Sequence, residues 1–212
     1  MAVINSADPA SAAPTLVGHF DRLHDASADP WRVMSRWYEI RKRRLLLAAL
    51  PDEHYGRVLE LGCSTGVLSH ELAARSDRLL AVDFSSAAIE RARQRLDGLK
   101  QVELQCHDIT QGIPEGAFDL VVLSEVGYYL SEDQFDRLVR EITESTPPSG
   151  QLLLCHWRHQ EGDFRQRPAD VHGRVLSDPA WQLIISHQEE DFLLHVVIRT
   201  AVAPATGEGS DR

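Results

Sequence analysis

A glycine-containing loop is the part of this sequence whose residue types and spacing most directly indicate chemistry. It runs Glu60-Leu61-Gly62-Cys63-Ser64-Thr65-Gly66 and continues the apolar segment RVLEL at residues 57–61. Glycines let the backbone turn sharply and approach a ligand closely, and the amides at the start of a following helix face that ligand. The loop therefore predicts a binding site, with contacts from Glu60, Gly62, Cys63, Ser64 and Gly66.

The letters of this loop distinguish between two classes of nucleotide ligand. A dinucleotide fingerprint, G-x-G-x-x-G, has a middle glycine that makes room for a pyrophosphate. Ser64 occupies that middle position here, and no third glycine stands at the required place. S-adenosylmethionine (SAM) carries no phosphate, so a small side chain can be accommodated, and Glu60 suits a sulfonium ligand with an ammonium group. The loop therefore favours SAM over NAD.

Polar residues also follow the next three apolar segments, in chain order. Asp83, followed by Phe84, can accept hydrogen bonds from both ribose hydroxyls of a nucleoside. Asp108 and Ile109 follow the third segment, from which a carboxylate can accept from an adenine amino group. Ser124 ends the fourth, next to the expected position of the reacting methyl group. Ligands of an open parallel sheet lie beyond the carboxyl ends of its strands, so these residues predict one crevice.

The elements that must position these residues alternate along the chain. Apolar segments at 57–61, 78–82, 102–106, 118–124 and 151–156 are separated by helical segments, which predicts a parallel sheet with helices on both faces. The segments 181–187 and 192–199 flank a polar turn and predict an antiparallel hairpin. The predicted fold class is α/β: a Rossmann-like, seven-stranded sheet with a C-terminal hairpin, the pattern of class I methyltransferases.

Capping residues and periodicity locate the helices. Ser85 can cap a helix that reaches Leu96, and Ser131 with Gln134 makes a capping box before a helix that reaches Ile142. The segment 31–50 is predicted as one helix. Its buried face is expected to carry residues that recur at steps of three and four: Met34, Tyr38, Arg41, Leu45 and Ala48.

Arg41 on a buried face would need a partner for its guanidinium. Two partners remain open, the methionine carboxylate of SAM or a structural bridge to an acidic residue. The domain organisation predicted from these patterns is a flexible arm at 1–28, a lid helix at 29–50, a SAM-binding domain at 51–200 and a disordered tail at 201–212.

At these residues the chain resembles the class I SAM-dependent methyltransferases over about residues 55–200, and more closely the nodulation protein S family of N-methyltransferases. Three segments carry the closer resemblance: Asp29-Pro30-Trp31-Arg32 with Trp37-Tyr38-Glu39 and Arg41, the stretch 124–130, and the stretch from His156 to Gly173. The resemblance implies cofactor contacts at Gly62, Asp83, Asp108 and Ile109, a lid formed by the N-terminal helix, and an amine acceptor such as an amino sugar or related metabolite.

The candidates for catalysis follow the fourth and fifth strands. A methyl acceptor that is an amine must lose a proton, and Glu125 or His156 could position it or take that proton. Side chains expected to line the acceptor pocket are Trp37, Tyr38, Tyr128, Tyr129, His159 and His172. No metal is expected, because the strand-end spacing of His156 and His159 does not direct two ligands to one face and no cysteine joins them.

Composition limits the partners. A chain of 212 residues with a formal charge of −10 fits one domain that acts on a small molecule rather than on nucleic acid. No segment has the length of a membrane span or the pattern of a secretory signal, so a cytoplasmic location is expected. The three cysteines are expected to be reduced, small and buried. The oligomeric state is not predicted.

Three classes of function remain open at this point: a methyltransferase, an NAD-dependent oxidoreductase, and a SAM-binding protein without turnover. The absent third glycine argues against the second, and the presence of Glu125 and His156 argues mildly against the last. Within methyltransferases, transfer to oxygen stays an alternative to transfer to nitrogen, which the family resemblance favours.

Overall fold

The computed structural model describes residue 29 and residues 31–159 and 164–201. Twelve helices and strands occur in these ranges. They are α1 (Trp37–Ala49), β1 (Tyr55–Leu61), α2 (Val67–Ala73), β2 (Ser76–Asp83), α3 (Ser86–Arg95), β3 (Val102–Cys106), β4 (Leu120–Ser124), α4 (Glu132–Ser145), β5 (Gln151–Trp157), α5 (Pro168–Leu176), β6 (Trp181–Gln188) and β7 (Phe192–Arg199). Two 3-10 turns cover Ile109–Gln111 and Gly127–Tyr129.

The strands form one seven-stranded sheet in the order β3-β2-β1-β4-β5-β7-β6. The strands from β3 to β5 are parallel, and β7 lies antiparallel between β5 and β6. The predicted α/β sheet closed by an antiparallel hairpin is therefore confirmed. Strand order reverses between β1 and β4, so the crevice for a ligand lies at the carboxyl ends of these two strands.

The middle of the sheet is buried on both faces. Along β4, Val121 and Leu123 join one apolar cluster, while Leu120 and Val122 join the cluster on the opposite face. Each fully buried aliphatic side chain of this size contributes about 1.5–3 kcal/mol relative to an exposed one. The continuous apolar run of this strand is therefore explained by two cores, and these make the strand ends a rigid base for the site.

Two helix starts follow their predicted caps. The Ser85 hydroxyl accepts from the Ala88 amide at 3.3 Å. The capping box is complete, because Gln134 N donates to Ser131 Oγ at 3.3 Å and Ser131 N donates to Gln134 Oε1 at 2.9 Å. Both predictions rest on contacts within three residues of the chain, which is why local sequence was sufficient.

The N-terminal helix begins later than predicted, at Trp37 instead of residue 31. Residues before Trp37 form a separate turn, in which the Asp29 carboxylate accepts from Val33 N at 2.7 Å and Met34 N at 3.1 Å. Arg32 adopts a left-handed backbone with a φ of 56°. A carboxylate that satisfies these amides competes with helix formation, so α1 begins at Trp37.

The buried face predicted for this helix is only partly correct, since Tyr38 and Leu45 pack against the core but the other predicted residues do not lie at its centre. Met34 and Ala48 are exposed and Arg41 is only half-buried, whereas Lys42 and Leu46 are buried, in line with Leu50 beyond the end of the helix. The Glu125 carboxylate lies beneath the helix and pairs with Lys42, so the apolar residues alone did not determine the orientation of the helix.

Two further features differ from expectation. Helix α5 was not predicted, although Pro168 at its first turn and the buried pair Val171 and Val175 are helix signals. Cys106 is exposed, whereas Cys63 and Cys155 are buried as expected, because Cys106 ends a strand near the sheet edge.

The predicted arm at 1–28 and all but the first residue of the predicted tail lie outside the described residues. Among the helices in the described ranges, none combines the length and apolar character that crossing a bilayer requires.

Candidate active site

The glycine loop turns the chain from β1 into α2. Gly62 N and Cys63 N both donate to the Val82 carbonyl, at 2.8 and 2.9 Å, which ties the loop to the neighbouring strand. Gly62 has a φ of +79°, and a Cβ placed there would come within 2.2 Å of the Val126 side chain. Glycine is therefore required at position 62 by both backbone conformation and space.

Asp83 lies at the end of β2, against this loop. Its two carboxylate oxygens accept from Ser64 N and from Ser85 N, each at 2.9 Å. The loop residue Ser64 itself has a left-handed φ of 49°. Two backbone donors thus hold the carboxylate of Asp83 in one orientation at the end of β2.

Glu60 lies beneath the loop and is 3% exposed. Ser69 Oγ donates to Glu60 Oε2 at 2.5 Å, which links the end of β1 to α2. Burial raises the pKa of Glu60 to about 8, helped by the nearby Asp83 and opposed by the Ser69 hydrogen bond. Burial likewise raises the pKa of the Cys63 thiol. These contacts support a role for Glu60 in holding the loop.

The remaining predicted cofactor residues lie at neighbouring strand ends. Asp83 pairs with Cys106 in the sheet, which brings Asp108 and Ile109 beside the β2 end. Asp108 caps a 3-10 turn by accepting from Thr110 N at 2.8 Å, and Ile109 is buried. Phe84 and Ser124 are partly exposed at the ends of β2 and β4. The carboxylates of Asp83 and Asp108 at these neighbouring strand ends suit a ligand that carries hydroxyls, an amine and a positive charge.

Glu125 follows β4 and is the centre of a second cluster. Its backbone is left-handed, with a φ of 60°. Lys42 Nζ lies 2.5 Å from Glu125 Oε1, while Tyr128 OH and Trp157 N donate to Oε2 at 2.6 and 2.9 Å. Burial would raise the pKa of Glu125, but Lys42 outweighs it and the pKa is lowered, so the carboxylate is ionised at neutral pH.

Lys42 belongs to this cluster and is not among the residues that the sequence predicts for the site. It is 6% exposed, and its ammonium also lies 3.0 Å from Glu39 Oε2 and 5.0 Å from the centre of the Tyr38 ring. Burial alone would lower its pKa, but Glu125 and Glu39 more than offset this and raise it. The signal was weak: Lys42 stands four residues after Tyr38 and four before Leu46, on the face that is buried.

Aromatic side chains surround this cluster. Tyr128 stacks on Phe164 at 3.7 Å between ring centres, and Tyr129 lies edge-on to both rings. Tyr38 packs edge-on against Phe192 and is partly buried, whereas Trp37 is 64% exposed. The structure therefore places Tyr38 and Tyr128 at the Lys42–Glu125 cluster, with Tyr129 and Phe164 packed on Tyr128, while the acceptor pocket itself stays a prediction.

His156 lies behind the cluster and has a protein partner at each nitrogen. Gly127 N donates to its Nε2 at 3.0 Å, and its Nδ1 lies 2.9 Å from His172 Nε2. Burial lowers the pKa of His156 to about 4; Glu125 opposes this and Lys42 adds to it. The ring is therefore neutral and engaged, which makes Glu125 the better candidate to accept a proton.

The other predicted histidines and Arg41 also have partners. His172 is 1% exposed and lies in the interior, so the structure does not bring it to the pocket surface as predicted. His159 is exposed, with its Nε2 2.8 Å from Asp191 Oδ1. Arg41 donates to both carboxylate oxygens of Glu189, at 2.6 and 2.7 Å. Of the two partners considered for Arg41, this is the structural bridge to an acidic residue.

Comparison with known proteins agrees with this geometry. The sequence profile of the nodulation protein S family matches residues 19–161. Nodulation protein S of Rhizobium tropici is 34% identical over 132 residues, which cover 61% of this chain and 55% of that protein.

Solved structures share the fold. A candidate methyltransferase from Pseudomonas syringae is 41% identical, with a TM-score of 0.68 over 77% of this chain and all of that one. The N-methyltransferase NodS from Bradyrhizobium japonicum, in complex with S-adenosylhomocysteine (SAH), has a TM-score of 0.76 at 24% identity, over 85% of this chain and 97% of that one.

The sheet order, the glycine loop and the aspartate at the end of β2 define the class I SAM-dependent methyltransferases. Within that class, the chain belongs to the nodulation protein S family.

Proposed function

We propose that this protein uses SAM to methylate the primary amine of a small molecule. The Bradyrhizobium relative is an N-methyltransferase and was solved with SAH, the product that methyl transfer leaves. The sequence profile of the same family covers most of this chain. The charge of −10 is compatible with a cationic amine and unfavourable for nucleic acid.

The residues at the strand ends fit the cofactor. In this proposal, Asp83 accepts from the ribose hydroxyls, Asp108 and Ile109 contact the adenine, and the loop from Gly62 to Gly66 faces the methionine part. The cofactor supplies an electrophilic methyl group on a sulfonium centre. The protein has to orient the acceptor in line with that group and exclude water.

The observation that carries the proposal is the ammonium of Lys42 at Glu125. A primary ammonium rests on two carboxylates beside an aromatic ring, with Lys42 Nζ 2.5 Å from Glu125 and 3.0 Å from Glu39. A carboxylate that holds one primary ammonium in a partly buried site can hold another. We infer that the amine of the acceptor binds Glu125 in place of Lys42, when α1 moves as a lid.

Exchange of the two ammonium groups also suits the chemistry. An amine attacks only as the neutral base, so its proton must be removed. While Lys42 is bound, it keeps the pKa of Glu125 low and makes it a weak base. Once Lys42 withdraws, the substrate ammonium can give its proton to Glu125, which leaves a neutral amine and a neutral carboxylic acid, and burial favours this uncharged pair over the ion pair.

The aromatic residues complete the acceptor pocket in this proposal. Tyr128 hydrogen bonds to Glu125 and would hold its second oxygen in place during the reaction. Tyr38 already lies beside an ammonium, and an aromatic ring face attracts a cation by about 0.5–2 kcal/mol. Trp37, Tyr129 and His159 lie further out and would contact the rest of the acceptor.

A screen of paired acceptors with isotopically labelled SAM tests the proposal. Each primary amine, including an amino sugar, is paired with the alcohol of the same carbon skeleton, and the methylated product is detected by mass spectrometry. We expect label in the amines alone. Label in the alcohols would establish O-methylation instead, and binding of SAH without turnover of any acceptor would indicate a binding protein.

The matched variant is Glu125→Gln, which keeps size and shape but cannot hold a proton or a charge. We expect turnover to fall about 100-fold or more, with SAH affinity unchanged by calorimetry. Glu115→Gln, at an exposed position, is the control. Unchanged turnover in Glu125→Gln would remove Glu125 from the reaction.

A further inference from the structure

Three buried histidines form a continuous chain from the turn after β4 to the edge of the sheet. Gly127 N donates to His156 Nε2, His156 Nδ1 lies 2.9 Å from His172 Nε2, and His172 Nδ1 lies 2.7 Å from His195 Nδ1. His195 Nε2 then lies 3.1 Å from Ser186 Oγ. The chain thus joins β5, α5, β7 and β6, and all three rings are buried.

The backbone amide at the inner end determines the direction of every hydrogen bond in this chain. An amide N–H can only donate, so His156 Nε2 accepts, and the proton of neutral His156 is on Nδ1. His172 Nε2 must then accept from it, which puts the proton of His172 on Nδ1. By the same step His195 Nδ1 accepts, and its Nε2–H donates to Ser186.

Protonation of any of the three rings would break this order of donors and acceptors. A protonated histidine has two N–H donors and no acceptor, so one of its neighbours would meet a donor with a donor. Burial lowers the pKa of all three rings, with mutual repulsion adding to the effect at His172. The neutral chain with one set of tautomers is therefore the arrangement that the fold stabilises.

The inner end of the chain holds the turn that carries Glu125. Gly127 leaves no room for a side chain, because a Cβ there would lie 2.7 Å from Val171 and 3.0 Å from His156 Nε2. Glu125 has a left-handed backbone with a φ of 60°, a conformation that is unfavourable for a residue with a side chain and must be held by its surroundings. The contact between Gly127 and His156 is one of the interactions that keep this turn in place.

We propose that His172 and His195 are positioning residues, which lock His156 in the Nδ1–H tautomer so that its Nε2 holds Gly127 and thereby Glu125. The chain is not a path for protons, because the backbone amide at its inner end has no proton to release. Its influence on turnover rests on the proposed function, whereas the tautomers and the Gly127 contact do not.

The first test reads the tautomers directly in the unmodified protein. Nitrogen-15 chemical shifts of the histidine rings separate a protonated ring nitrogen from a bare one. We expect a proton on Nδ1 of His156 and His172 and on Nε2 of His195 at pH 7. A proton on Nε2 of His156, or a charged ring among the three, would overturn the proposal.

The second test uses variants at position 195 that either keep or lose a hydrogen-bond acceptor for His172 Nδ1. His195→Leu removes the acceptor for His172, and we expect the hydrogen exchange of the Gly127 amide to rise about tenfold. In His195→Asn the carbonyl oxygen can take the place of Nδ1, so most of the protection should return. Equal exchange in wild type and His195→Leu would refute a positioning role.

A double variant separates positioning from general damage to the fold. His156→Gln places a carbonyl oxygen near the former Nε2, an acceptor that needs no tautomer. His195→Leu should therefore have no further effect on the Gly127 amide or on turnover in that background. If the two effects add in full, His195 acts independently of His156 and the proposal fails.

Discussion

Replacing Lys42 by methionine removes the ammonium from the Glu125 cluster while keeping the apolar stem, and its effect on stability can be estimated from burial. Loss of one partner from a fully buried ion pair costs about 3–5 kcal/mol, whereas an exposed pair contributes about 0–1 kcal/mol. The Lys42 side chain is 8% exposed, but those of Glu125 and Glu39 are 28% and 15% exposed. Between these limits, we expect Lys42→Met to lower the free energy of unfolding by about 2 kcal/mol at pH 7.

The pH dependence of this loss identifies its cause. The pKa of Glu125 is lowered by folding, so its contribution is present above the unfolded carboxyl pKa and is lost as the pH falls through the folded value. The pKa of Lys42 is raised, so its contribution is present below the unfolded lysine pKa and is lost as the pH rises through the folded value. The difference between wild type and variant should therefore be largest from about pH 5 to about pH 10.

Urea unfolding, followed by tryptophan fluorescence at several pH values inside and below this range, measures the difference. Lys100→Met, at an exposed position, is the matched control and should leave stability almost unchanged. A loss in Lys42→Met that stays constant down to acid pH would refute the reasoning, because it would assign the effect to packing of the lysine stem rather than to its charge.

Three further outcomes follow from single contacts. Asp83→Ala should weaken SAH binding by about 1–3 kcal/mol, and an unchanged calorimetric affinity would exclude Asp83 from the site. Gly62→Ala should reduce both thermal stability and SAH binding, because a Cβ would lie 2.2 Å from Val126, and Val126→Ala should restore part of both. Ser131→Ala should cost about 1 kcal/mol in urea unfolding through loss of the helix cap, with turnover unaffected.

Local patterns were sufficient for the strands, two capped helices and the glycine loop. A buried strand such as β4 needs a run of apolar residues, and the caps at Ser85 and Ser131 act within three residues. Asp83 could be predicted in a second way, because parallel strands end at the same edge of a sheet and its place at the end of an apolar segment therefore puts it near the loop. The strands and the helix caps depend on residues that are close along the chain, so the sequence alone is enough to predict them.

Long-range partners decided what the sequence did not reveal. Lys42 lies 83 residues from Glu125 along the chain, so no local pattern marks it as a partner of that carboxylate. From its place in the sequence His156 is a plausible base, but in the structure its two ring nitrogens are engaged by Gly127 and His172. His195 was not a candidate at all, because nothing within its own strand distinguishes it.

By itself, the sequence determined the fold class and the predicted cofactor crevice of this protein, because hydrophobic periodicity and short-range capping encode which segments become strands and helices. Only the tertiary structure decided which face of α1 is buried, that Lys42 rather than Arg41 contacts Glu125, and that three histidines share one chain of hydrogen bonds. The physical reason is that charge pairing and hydrogen bonding depend on atoms brought together by packing, across separations that no local pattern records.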